Sequence, residues 1–201
     1  MNKLIWLAGV LLFLSFRPGY DVLAQNASDK RIDSDNFDVG LMEYFVKIKI
    51  DSVRKAHGLN ALQNDSLLYM AALDQAKYQR GKKELTHFQA NRRKKTLKDR
   101  LDYYGFPFTA AAENLARGYV LVPIYASGSR TKTLIVETYE QAAYQMVDGW
   151  VHSKGHYTNI ITPDYRFTGV AMVFDKAKKE VNGAQVFADA PENYRPGRKQ
   201  K

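Results

Sequence analysis

The side chains best suited to acid–base or metal chemistry in this chain are its four histidines, His57, His87, His152 and His156. Cysteine is absent, which removes thiol nucleophiles, thiolate zinc sites and redox motifs together. Any metal must therefore rest on histidine, carboxylate or backbone oxygen. His152 and His156 stand four apart, like the two zinc ligands of a helical HExxH motif. Here the glutamate is missing, and Gly155 is expected to end the helix before His156, so the two rings would not share a face. His57 precedes Gly58 at an expected helix end, where a cation suits the helix dipole, and it reads as structural. No GxSxG elbow, phosphate-binding loop or dinucleotide fingerprint occurs, and Ser129 in ASGSR lacks the surroundings of an elbow serine. Taken singly, these residues do not announce an enzyme.

The elements that must position them follow from periodicity and caps. Residues 1–24 have the make-up of a secretory signal peptide, with Lys3, an apolar run from Leu4 to Phe16, and Ala24 at a cleavage position. That run is too short to span a bilayer, which takes ~20 apolar residues, so no transmembrane segment is expected after cleavage. Residues 25–36 form a polar, unstructured lead-in. A helix fits Phe37 to His57, with Phe37, Leu41, Phe45, Ile48 and Ser52 on one stripe and Tyr44 close beside it. Asn64 or Asp65 caps a second helix from Ser66 to Arg80, whose inner face is Leu68, Ala71, Ala72, Gln75, Ala76 and Gln79. A third, very basic helix is expected from Asn91 to Tyr104, closed by Gly105 and Pro107. Residues 119–131 suggest a loop with a short strand. Val136 to Val151 returns to helical spacing through Tyr139, Ala143, Met146 and Trp150. Phe167 to Phe174 and Ala184 to Ala188 form a hairpin around a polar turn, and residues 191–201 make a disordered basic tail. Helices first and a hairpin last indicate an α+β layout.

The net charge is +9, and the excess is localised. Residues Lys77 to Arg100 hold ten Lys and Arg against Glu84 and Asp99. Outside the cytoplasm such a patch suits an anionic lipid, polysaccharide or envelope component, and peripheral contact with a membrane. Nucleic acid is not expected, because the cations lack interleaved aromatic residues. The candidate ligand patch is Lys82, Lys83, Arg92, Arg93, Lys94 and Lys95, set against the plainer possibility of a solvated helix face.

The order of motifs says more than any one of them. HGLNAL is followed by ALDQAKYQRGKKELTH, which ends in His87, then by AAENLARG with Glu113 and Asn114, then by DGWVHSKGHYTNI and FTGVAMVF. This series resembles the CAP domain (cysteine-rich secretory protein, antigen 5 and pathogenesis-related 1, also called SCP-like), in its bacterial, cysteine-free form, over roughly residues 37–190. The resemblance implies a three-layer α/β/α sandwich around a small, about three-stranded antiparallel sheet. It also implies a cleft in which His87 and His156 are the paired histidines and Glu113 the acid beside them, a place for a divalent metal such as zinc. Many animal and plant members carry a second glutamate where this chain has Ser153, a departure that sets the full four-residue site in question, and the same trio could instead be a hydrogen-bonded network that fixes the cleft. Trp150, Ser153 and Asn159 are expected to serve structure.

Two functions remain open at this stage. The first is a secreted or periplasmic, non-enzymatic binding module for lipid or envelope ligands, a role to which the family is linked. The alternative is a metal-assisted hydrolase or peptidase with His87 and His156 as ligands and Glu113 as general base.

Overall fold

The computed structural model describes residues 29–125 and 132–197; the expected signal peptide, the Ser129 segment and the last four residues lie outside them. Helix α1 is Val39–Ala56, capped by the Asp38 carboxylate on the Leu41 N–H. Strand β1, Gln63–Asn64, leads into α2, Ser66–Gln79, where Asp65 accepts from the N–H groups of Leu67 and Leu68. A 3₁₀ turn at Arg92–Lys94 precedes α3, Leu97–Tyr104, which opens with a Thr96–Asp99 capping box. Strand β2 is Ala110–Tyr119, and Pro123–Tyr125 (β3) and Lys132–Ile135 (β4) form a separate two-stranded ribbon. Helices α4, Tyr139–Val151, and α5, Lys154–Ile161, come before strands β5, Phe167–Asp175, and β6, Glu180–Asp189.

The main sheet runs β1–β5–β6–β2. It is four-stranded and mixed, not three-stranded and antiparallel as expected, because β1 pairs with β5 in parallel at Gln63↔Phe167 and Asn64↔Thr168. Two residues leave almost no periodic signal, which is why the sequence did not reveal this strand. The long strands alternate between two faces. Ala111, Leu115, Val186, Ala184 and Ala171 pack with α2 residues Leu68, Ala72 and Ala76. Ala112, Ala116, Phe187, Val170 and Met172 pack with Phe45 and Val46 of α1 and Met146 and Trp150 of α4. Helices thus cover both faces of the sheet, and the α+β class holds.

Several boundaries differ from expectation for identifiable reasons. The buried stripe of α1 is Met42, Phe45, Val46, Ile50 and Arg54, leaving Ile48 and Tyr44 exposed. Arg54 belongs to that stripe because its guanidinium collects the carbonyls of Asn60, Ile160, Thr162 and Tyr165, which tie α1 to the end of α5. The basic helix is shorter than its charge pattern suggested, since Thr96 starts a new helix. Gly155 does not end a helix: α4 stops at Val151, and α5 begins at Lys154 and carries His156. The described part of the lead-in is ordered, with Arg31 bridged to Thr138 and Ile32 buried. The first residues of the expected disordered tail are ordered too. Tyr194 is buried against Phe106 and Phe167 and donates to the Asp65 carboxylate.

Gly169 sets how closely α2 approaches the sheet. A Cβ there would lie 2.2 Å from the backbone of Leu68 and Tyr69, whereas one at Gly183 would meet the flexible Met172 side chain at 2.7 Å. Backbone cannot step aside as a thioether does. Gly169→Ala is therefore expected to cost about 1–3 kcal/mol or more, lowering Tm by roughly 2–4 °C per kcal/mol in a chain of this size. Gly183→Ala should cost clearly less; equal losses in thermal unfolding would refute this reading of the interface.

Candidate functional site

The site is built at the β2 edge of the sheet, where the AENL run alternates between faces. Glu113 lies opposite Val186 and points with it to the α2 side, while Asn114 lies opposite Gln185 and points to the other. On the α2 side, Glu113 Oε2 accepts from a guanidinium N–H of Arg100 at 2.5 Å, and Oε1 accepts from His87 Nδ1 at 2.8 Å. The Glu113 side chain is 2% exposed and that of Arg100 0%. A carboxylate only accepts, so His87 carries its proton on Nδ1 and its Nε2 is left as the free ring nitrogen. His87 itself is half exposed.

The loop that presents His87 is held by amides and guanidiniums. Gln75 and Gln79, on the buried face of α2, both donate to the Thr86 carbonyl, and Gln79 Oε1 accepts from the Thr86 N–H. Gln89 donates to Gln75 Oε1 at 2.9 Å. Arg100 reaches the His87 carbonyl at 3.3 Å, and Arg117 of β2 donates to the carbonyls of Lys83 and Gln79.

On the opposite face, Asn114 Nδ2 donates to the His156 carbonyl at 3.1 Å, and Asn159 Nδ2 donates to Asn114 Oδ1 at 2.8 Å. Trp150 Nε1 donates to the Leu115 carbonyl at 2.8 Å. These contacts give Trp150, Asn114 and Asn159 positioning roles: they fix α4 and α5 against β2. The His156 imidazole is held below its ordinary pKa, first by burial and then by the nearby His87. The two rings are thus brought near enough for one to feel the other's charge.

The other histidines stay apart from this pair. His57 donates from Nδ1 to the Val53 carbonyl and accepts at Nε2 from the Tyr157 hydroxyl, as a helix-end group. His152 turns back on Asp148 in its own helix and is mostly exposed. In the basic patch, Lys82, Lys83, Arg92, Arg93 and Lys95 are exposed. Lys94 is not available to a ligand in the same way. It pairs with Asp74 at 2.9 Å, donates to the Tyr104 hydroxyl and sits over the Tyr103 ring.

The donor set fits a metal poorly. Each Glu113 oxygen already accepts one hydrogen bond, from Arg100 or from His87, so this carboxylate is engaged in orienting its neighbours. Two imidazoles remain, with Glu113 orienting one of them. Among the described residues, no group of three or more His, Asp or Glu converges to hold an ion. A catalytic zinc site of three protein ligands does not fit these residues.

Sequence reasoning missed Arg100 as the partner of Glu113, counting it with the surface cations. The signal was there: Arg100 and Leu101 lie three and four residues after Leu97, on the apolar edge of the helix. Gln75 and Gln79 gave a similar sign, as amides on an otherwise apolar face.

Two outcomes follow. Glu113→Gln leaves Arg100 charged and buried without a counter-ion, and is expected to lower unfolding stability by about 3–5 kcal/mol, while His87→Ala costs far less. In a proton NMR titration His156 should titrate below the ordinary histidine value of 6.5, and its midpoint should rise in His87→Ala. By linkage, this depressed value favours the fold above pH 6.5, and the advantage is lost as pH falls towards the folded-state pKa. A His156 midpoint unmoved by the substitution would contradict the coupling.

The model of the CAP cysteine-rich secretory protein family matches residues 49–187. Among solved structures, the chain is similar to an extracellular SCP-domain protein of Bacillus anthracis, with 21% identity, a TM-score of 0.56, and 75% of this chain and 41% of that one covered. This chain thus spans under half of the Bacillus protein's length. An outer surface protein of Borrelia burgdorferi aligns with 19% identity and a TM-score of 0.58 over 80% of this chain and 98% of that one. The CAP domain of enterococcal PrgA aligns with 16% identity and a TM-score of 0.51 over 90% and 74%. No curated protein is similar in sequence. At these identities the solved structures speak for the fold, while the family match extends over most of the described chain: this protein belongs to the CAP family.

Proposed function

We propose that this CAP domain is a non-enzymatic binding module acting outside the cytoplasm, and that its ligand is a lipid with an anionic head group. The observation that carries the reading is a groove of about 460 Å³ between α1 and α4. Ile48 and Val53 of α1 and Tyr144, Val147 and Val151 of α4 line it, with Lys49 at its rim. Ile48 is 39% and Tyr144 60% exposed, an amount of uncovered apolar surface that invites an acyl chain. Lys49 lies beside the Tyr144 ring and pairs with Glu140 at 2.9 Å, so an anionic head group would take the place of that carboxylate, with Asp148 also on the groove wall.

The five exposed cations Lys82, Lys83, Arg92, Arg93 and Lys95 extend this reading to an anionic envelope or membrane surface, approached peripherally. Among the described residues, no helix is long and apolar enough to cross a membrane. The extracellular and outer-surface relatives support a secreted or periplasmic location, as does the signal-like composition of residues 1–24. A divalent ion such as zinc enters only as a loosely held guest of His87 and His156. Against a hydrolase weighs the state of Glu113: a general base needs a carboxylate free to take a proton from water, and this one is bound to Arg100 and His87.

The test is displacement of cis-parinaric acid by long-chain fatty acids. Ile48→Asp with Tyr144→Asp, both at exposed positions, should weaken binding at least tenfold, and His87→Ala with His156→Ala should leave it unchanged. Binding that survives the groove variant, or falls with the histidines, would overturn the assignment of the ligand to this groove.

A further inference from the structure

A second cavity, of about 490 Å³, lies on another part of the molecule, between α1 and the start of α2. Its floor is the outer edge of β5. The Asp65 N–H bonds the Thr168 carbonyl as the last rung from β1, and β1 pairs with β5 no further than Asn64↔Thr168. Four residues on, the Met172 N–H is met by the Glu43 carboxylate at 3.0 Å, a side chain standing where a strand carbonyl would be. Alternate residues of a strand direct their N–H and C=O to the same side, so Val170 turns both groups into this gap. An open edge of that kind is a template for another chain.

The walls give the site a preference. Tyr44, 54% exposed, and Tyr69 line it, and Gly40 on α1 leaves the mouth without a side chain. Two charged groups line the groove besides Glu43's own carboxylate: Lys47 pairs with Asp51, while Asp65 is spent on the α2 cap and the Tyr194 hydroxyl. Glu43 meets only neutral donors, the Met172 N–H and, at 3.4 Å, the Tyr69 hydroxyl. Among the described residues no cation is paired with it. Burial accordingly holds its carboxyl above the usual range, and an arriving cation would relieve that cost.

We propose that this groove binds an extended peptide segment that pairs with the Val170 edge and places a lysine or arginine on Glu43. Main-chain hydrogen bonds supply the general attraction and the half-buried Glu43 carboxylate the selectivity, as in other strand-addition sites. The site is separate from the lipid groove, which lies on the opposite flank of α1 at Ile48, Ser52 and Val53.

The test uses ¹⁵N-labelled protein titrated with acetyl-Thr-Val-Lys-Val-Thr-amide, its arginine counterpart, and the same peptide with glutamate at the centre. The expected result is saturable shifts of the Gly169, Val170 and Tyr69 amides with the basic peptides, at least tenfold weaker with the glutamate peptide. Glu43→Gln keeps an acceptor for Met172 and should remove the preference for a basic centre. Gly40→Leu fills the mouth from a helical position where an added Cβ meets only the Asp38 carboxylate, at an ordinary contact of 3.7 Å, and should weaken all binding. No shifts at these amides with either basic peptide, equal binding by all three, or equal binding by lysine amide alone would overturn the proposal.

Discussion

The cleft of this protein depends on one buried ion pair. Arg100 comes from a short helix that Thr96 and Asp99 start, and Glu113 from a strand at the sheet edge. Neither charge would be tolerated alone at such burial, so each fixes the other. Having paired, they also fix what they touch. Glu113 sets the tautomer of His87, and Arg100 holds the carbonyl of the same residue. A loop without regular structure between α2 and the 3₁₀ turn thereby presents one defined ring.

The neighbouring residues of the same strand extend that control to the other face. Because side chains alternate along β2, Glu113 serves the α2 side, while Asn114 reaches the backbone of α5. The Leu115 carbonyl then receives the Trp150 indole. Three consecutive residues thus place α3, α5 and α4. The cleft histidines sit where these fixings meet, which accounts for their geometry by folding demands alone. The two grooves proposed as binding surfaces lie elsewhere, where the helices leave apolar or main-chain groups uncovered along α1.

Much of this was legible in the sequence where a single element explains its own pattern. The inner face of α2 appears residue for residue, since Asp65 caps it and small residues recur at helical spacing. The motif order pointed to the family and to His87, Glu113 and His156 as neighbours. What the sequence concealed depended on long-range partners. Arg54 looks like a surface cation until the carbonyls of α5 arrive from residues 160–165. Arg100 looks like part of a basic patch until Glu113 arrives across the fold. The two-residue β1 has no pattern to recognise, and the exposure of Ile48 follows from a rotation of α1 that its apolar spacing left undetermined.

The central claim is that the Arg100–Glu113 pair holds the His87 loop in place. Amide hydrogen exchange at Thr86, Gln89 and Ala90, whose N–H groups bond Gln79, Lys95 and Tyr78, measures this directly in Arg100→Met, Glu113→Gln and the double variant. The account predicts that each single substitution lowers protection of all three amides and that the double variant loses little more than either. Protection unchanged in Arg100→Met, in a protein that remains folded, would contradict it.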